Sequence, residues 1–180
     1  MQDNRTPAQW WKEVKADPVK FNEWLVKQYR GEVTAATRIV QLGERFEVSE
    51  GAQRILAIIA GQEAQHAGWI GELLTARNVE LPVVSQEEAE GRYWAATLPA
   101  IDSFQVGAAV AAHAEEMRLA RIKVIMDDTK APKDVRDVFT KIYKDELFHA
   151  RAFRDFTTDE ALATALSAHE AGMEALGLTL

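Results

Sequence analysis

Two Glu-x-x-His motifs carry the chemistry legible in this chain: Glu63-Ala-Gln-His66 and Glu146-Leu-Phe-His149. Three residues apart on a helix, the carboxylate and the imidazole of each motif project from one face. That face is apolar. At about 100° per residue, Leu56, Ile59 and Ile70 fall close to the Glu63 direction, and Val135, Ile142 and Phe153 fall close to that of Glu146. Both pairs are therefore expected inside a core, where an uncompensated carboxylate costs several kcal/mol. A metal cation compensates several such groups at once. The spacing repeats as well. Glu32 precedes Glu63 by 31 residues and Glu115 precedes Glu146 by 31, so a shift of 83 carries Glu32, Glu63 and His66 onto Glu115, Glu146 and His149. Two halves packed about a pseudo-twofold axis would bring four carboxylates and two imidazoles together, a ligand set for two metal ions.

The elements that must position these groups are helices. The 180 residues hold only 5 Pro and 10 Gly, and long stretches between them have helical periodicity, with no strand alternation. The pattern predicts a short helix over about 7–16, with Pro7 at its first position, then a long helix over about 19–47. Ser49 caps a second long helix to about Asn78. A connection over 79–98 follows, with a turn of helix near Gln86–Tyr93. A third helix runs from about Pro99 to Asp127, a fourth over about 133–156, and Thr158 caps a last one over about 159–176. The fold class is all-α: a four-helix bundle over about 19–156 with additional N- and C-terminal helices, in a single domain spanning 1–180.

Composition narrows the function classes. The chain has no cysteine, which excludes disulfides, thiol nucleophiles and cysteine-ligated iron. A net charge of −7 makes nucleic acid an unfavoured partner. No run of about 18 apolar residues exists to cross a membrane. The first residues, MQDNRTPAQWWKE, lack an apolar signal core, so a cytoplasmic location is expected.

The third helix offers adjacent glutamates. Glu115 shares its direction with Phe104, Ala108, Leu119, Ile122 and Met126, whereas Glu116 shares its own with Gln105, Lys123 and Asp127. The core line and the 31-residue spacing select Glu115. The same helix has a second apolar stripe, Val106, Val110, Met117 and Val124, which suits either a terminal helix or the interface of a homodimer.

With these residues in view, the chain resembles the ferritin-like superfamily, in its rubrerythrin-like and bacterial di-iron oxidase branches, over about 20–156. The motif of the resemblance is Glu32, Glu63-x-x-His66, Glu115 and Glu146-x-x-His149. It implies two iron ions, with manganese or a mixed pair as alternatives. Glu63 and Glu146 would bridge them, Glu32 with His66 would complete one ion, and Glu115 with His149 the other. It implies an oxidase, oxygenase or peroxidase using O2 or peroxide. Rubrerythrins proper also carry a cysteine-ligated iron, which this chain cannot hold, so electrons would come from a partner or a small molecule, or iron itself would be the reductant. A ferroxidase or iron-handling role and a non-catalytic helical interaction module are the competing expectations.

Other residues have plainer expectations. His113 belongs on a surface or interface and His169 in a structural or exposed place. Tyr29 and Tyr143 face inward, as core tyrosines or as hydrogen-bond partners of a ligand carboxylate. Trp10, Trp11, Trp24, Trp69 and Trp94 are core or docking anchors. Ala35, Ala36, Ala108, Ala111 and Ala112 either leave room beside the metals or allow close helix packing. Arg118, Arg121, Arg151 and Arg154 are expected on a solvated face, with Glu116 or Asp145 as partners.

Overall fold

Residues 5–84 and 92–179 are described in a computed structural model. Among them there are seven α-helices and no strand: α1 (Pro7–Ala16), α2 (Pro18–Arg45), α3 (Glu50–Thr75), α4 (Arg92–Thr97), α5 (Phe104–Asp127), α6 (Lys133–Phe156) and α7 (Asp159–Leu176). The hairpin α2–α3 packs on the hairpin α5–α6, with α3 and α6 meeting at the centre. This is the ferritin-like four-helix bundle with added terminal helices.

Local signals set the boundaries. Thr6 and Gln9 form a capping box ahead of Pro7. Asp17 accepts from Val19 N at the start of α2, Ser49 from Ala52 N at α3, and Thr158 from Ala161 N at α7. Three ends differ from the sequence expectation. Helix α3 stops at Thr75, followed by a turn to Asn78, which sits at φ 55°. Helix α2 stops at Arg45, two residues before Glu47 at φ 48°. Helix α5 starts at Phe104, not Pro99, because Ser103 accepts from Val106 N, and Pro99 sits in a separate 3₁₀ turn, Leu98–Ala100. The helical turn expected near Gln86–Tyr93 lies outside the described residues up to 91; α4 takes up the chain just beyond it.

The added helices cover the second stripe of α5. Val106 and Val110 pack with Ala161, Leu162 and Ala165 of α7, and Met117 and Val124 join the cluster of Trp10 and Trp11 from α1. Trp10, Trp11, Phe21 and Trp24 form an aromatic box closed by Phe139, whose ring stacks on Trp24 at 5.2 Å. The ends of the described chain are tied together: Arg5 N donates to Gly177 O and Thr179 N to Arg5 O, at 3.1 and 3.0 Å. Gly177, at φ 64°, makes this turn. No helix among the described residues is long and apolar enough to cross a membrane.

Candidate metal centre

The helix stripes predicted from sequence bury Glu32, Glu63, His66, Glu115, Glu146 and His149 together; the most exposed, Glu115, is 8% accessible. Glu116, its neighbour, is exposed and 4.0 Å from Arg154 at the rim. The buried groups form two overlapping quartets, each able to offer four ligand atoms within 4.8 Å of one another. One is Glu32, Glu63, His66 and Glu146; the other is Glu63, Glu115, Glu146 and His149. Glu63 and Glu146 belong to both.

Each imidazole turns Nδ1 inward. His66 Nδ1 lies 3.8, 3.6 and 3.7 Å from oxygens of Glu32, Glu63 and Glu146. His149 Nδ1 lies 3.1, 3.3 and 4.0 Å from Glu146, Glu63 and Glu115. The outward nitrogens are held crosswise between the hairpins. His66 Nε2 is 3.0 Å from Asp145 Oδ2, and His149 Nε2 is 3.0 Å from Gln62 Oε1. Gln62 Nε2 donates to Asp145 Oδ1 at 3.1 Å. A carboxylate and an amide oxygen accept at these positions, so the Nε2 atoms carry the protons and Nδ1 lone pairs are available to a metal. Trp69 stacks on His66 with ring centroids 5.6 Å apart.

Protonation follows from crowding four acids. Burial pushes Glu115 up, the Glu146 and Glu63 charges push it further, and it stays well above the usual carboxylate range. Burial also opposes ionisation of Glu63, but hydrogen bonds with His149 and His66 outweigh it and hold Glu63 low. Burial opposes ionisation of Glu146 most, but the Arg118 charge together with hydrogen bonds to His149 and Glu115 outweighs it and the Glu63 charge and holds Glu146 low. Burial would lower both histidines, yet the surrounding carboxylates raise them above 6.5. The cluster thus balances its charge with protons and one arginine.

A metal fits this donor set. Glu32 Oε2, Glu63 Oε2 and His66 Nδ1 are buried with no hydrogen-bond partner, and with Glu146 Oε1, whose neighbour is the Arg118 guanidinium, they belong to one whole quartet. Buried polar atoms left unmatched are costly, and three facing one another are matched by a single cation. Oxygen and imidazole donors suit Fe and Mn.

Two arginines lie elsewhere than expected, while Arg151 and Arg154 are exposed and the histidines, tyrosines and alanines fall within their expectations. Arg118 does not face solvent with Glu116 or Asp145. Its Nη2 contacts Glu32 Oε1, and its Nε lies 2.6 Å from Glu146 Oε1. Arg121 is also turned inward, its guanidinium 4.4 Å from the Trp10 ring centroid. Their long side chains leave the helix face that their positions on α5 give them, Arg118 drawn by the carboxylates of Glu32 and Glu146 and Arg121 by the Trp10 ring. His169 is buried, and its Nδ1 lies 2.7 Å from Tyr93 Oη. His113 stacks on it at 4.8 Å and its Nε2 lies 3.2 Å from Leu162 O. Both histidines are thus inside the α5–α7 contact. Tyr29 is half-buried and lines a groove of about 790 Å³ between α2 and α3, with Ala36, Ala67 and Leu81. Tyr143 packs at the edge of the core. Ala108 and Ala112 are fully packed.

Sequence reading missed Gln62, Arg118 and the role of Asp145. A signal existed. Gln62 and Asp145 are 83 apart and directly precede Glu63 and Glu146, so they extend the repeat. Arg118 stands where the same shift would place a copy of Ala35.

The family model described as Rubrerythrin matches residues 23–157, a span that contains Glu32, Glu63, His66, Glu115, Glu146 and His149. No curated protein and no solved structure matches the chain.

Proposed function

The chain belongs to the rubrerythrin family, and from that membership and the buried cluster we propose that it is a di-iron carboxylate oxidoreductase acting on O2 or peroxide. Manganese or a mixed pair is the alternative loading. The observation that carries the reading is the pair of quartets sharing Glu63 and Glu146. Glu32 and His66 would complete one ion, Glu115 and His149 the other. When bound, two such metals supply the electrons that reduce O2 or peroxide.

The chain's own residues prepare that chemistry. Asp145 and Gln62 accept the Nε2 protons of His66 and His149 and fix which nitrogen faces the centre. Leu56, Ile59, Ile142 and Phe153, all nearly inaccessible, exclude water around the acids. Glu115 holds a proton that it can release as positive charge enters. Without cysteine, the chain depends on an external electron donor, and a reducing cytoplasm is the compartment we assign.

Metal content by mass spectrometry, with an ultraviolet–visible spectrum, tests this first. About two irons per chain and a fast reaction of the reduced form with peroxide or O2 are expected. Oxidation of many Fe(II) ions per chain with mineral formation would favour iron handling instead. No metal after anaerobic Fe(II) and Mn(II) reconstitution would leave only a helical interaction module.

A further inference from the structure

The internal repeat changes charge at two places that touch the centre: Gln62 becomes Asp145 behind the histidines, and Ala35 becomes Arg118 beside the carboxylates. A shift of 83 residues carries every proposed ligand of the first half onto one of the second, but it carries Ala35 onto Arg118. Arg118 follows Glu115 by one helical turn and reaches across to the other hairpin. Its Nη2 contacts Glu32 Oε1 and its Nε is 2.6 Å from Glu146 Oε1. Glu146 Oε1 is the oxygen that faces His66, at 3.7 Å, whereas Glu146 Oε2 faces His149, at 3.1 Å. Both Arg118 contacts therefore fall on the quartet of His66. In the His149 quartet the pseudo-symmetric position is Ala35, which has no charge to offer Glu115 and Glu63.

The surroundings allow Arg118 to move. Its side chain keeps 20% of its surface exposed, so it has a route to solvent. Arg121, one turn further, is anchored over the Trp10 ring. Its charge lies behind Arg118 and opposes it, while the carboxylates of Glu32 and Glu146 draw it inward. A cation entering the His66 quartet removes that attraction and repels the guanidinium at short range.

Resting on the di-metal reading, we infer that Arg118 is a built-in cation of the His66 half: the His149 half loads first, and the His66 half loads only as Arg118 withdraws. The charge of Arg118 thus makes the two metal positions of this chain unequal, acting against the Asp145 carboxylate that backs His66.

The test is an anaerobic calorimetric titration of the metal-free full chain with Mn(II). Two dissociation constants at least about tenfold apart are expected, the gap reflecting one competing charge at close range. His66→Ala removes the weaker event and His149→Ala the tighter one. Arg118→Gln tightens the weaker event by about tenfold or more and leaves the tighter one nearly unchanged, while Arg118→Lys keeps the gap. Two equal affinities, the reverse assignment by the histidine variants, or a weaker second event in Arg118→Gln overturns the inference while leaving the di-metal reading intact. The histidine variants decide the matter even where Arg118→Gln does not fold. Failure of the wild-type chain to bind Mn(II) or Fe(II) at all would remove both.

Discussion

Glu115 and Glu116 differ by one residue and by everything that surrounds them. One hundred degrees of helix rotation puts the first among Glu63, Glu146 and His149 and the second in water beside Arg154. Glu115→Ala should therefore strip most of the metal from the protein, and Glu116→Ala should leave metal content unchanged, as measured by mass spectrometry. Asp145→Asn removes the charge behind His66 and sets an amide against the Gln62 amide. It should weaken metal binding by about tenfold or more in an anaerobic titration, without loss of helix content. Protons compete for the same atoms. Nδ1 of His66 and His149 binds metal only when deprotonated, and both histidines, like Glu115, hold protons to higher pH than usual. Metal uptake must release protons, so affinity is fullest above the raised histidine range and falls as pH drops through it. Retention of metal after dialysis at pH 8 and loss at pH 5.5 would show this sign; equal retention would contradict it.

At the scale of elements, two aromatic attachments secure the added helices, beside the packing of α7 on α5. The aromatic box fastens α1 to α2 and α6, and Trp24 is its hub, in contact with Trp10, Trp11, Phe21 and Phe139. Trp24→Ala should cost about 3–5 kcal/mol in denaturant unfolding. The second attachment joins α4 to α7. A methyl group at Gly172 would meet the Tyr93 ring at 2.6 Å, so only glycine lets that ring lie against the helix. Tyr93 Oη then reaches His169 Nδ1. Burial, with His113 beside it, depresses His169 to about 4, below the value near 6.5 of an unfolded chain. Between pH 6.5 and 4 the unfolded chain binds this proton and the folded one does not, so stability from this site is complete above 6.5 and is lost toward 4. His169→Gln should flatten that part of the stability–pH curve by roughly 3 kcal/mol relative to wild type.

For the whole molecule, the helices pack through one continuous set of contacts and the ends meet at Arg5 and Leu178. We propose that the chain unfolds as one domain. Tryptophan fluorescence, which reports side-chain packing on α1 to α4, and far-ultraviolet dichroism should then give coincident transitions. Metal at about 100 times its dissociation constant should add about 2.7 kcal/mol, raising Tm by roughly 5–10 °C, and a chelator should reverse it.

The class of fold and the inward-facing acids were legible in the sequence because helical periodicity is local. Burial of Glu63 follows from Leu56, Ile59 and Ile70 on the same helix, and the 83-residue repeat needs no knowledge of packing. Capping residues such as Ser49 and Thr158 placed helix starts for the same reason, while helix ends that depend on a left-handed residue, at Glu47 and Asn78, were missed by a few positions. What only the tertiary structure decided is which groups meet across helices. Arg118 and Arg121 look like surface arginines on a wheel because long side chains can leave their helix face, and only the facing hairpin supplies the carboxylates and the ring that draw them inward. The crosswise bonds of Asp145 to His66 and Gln62 to His149 likewise join different hairpins, so no periodicity within one helix could reveal them.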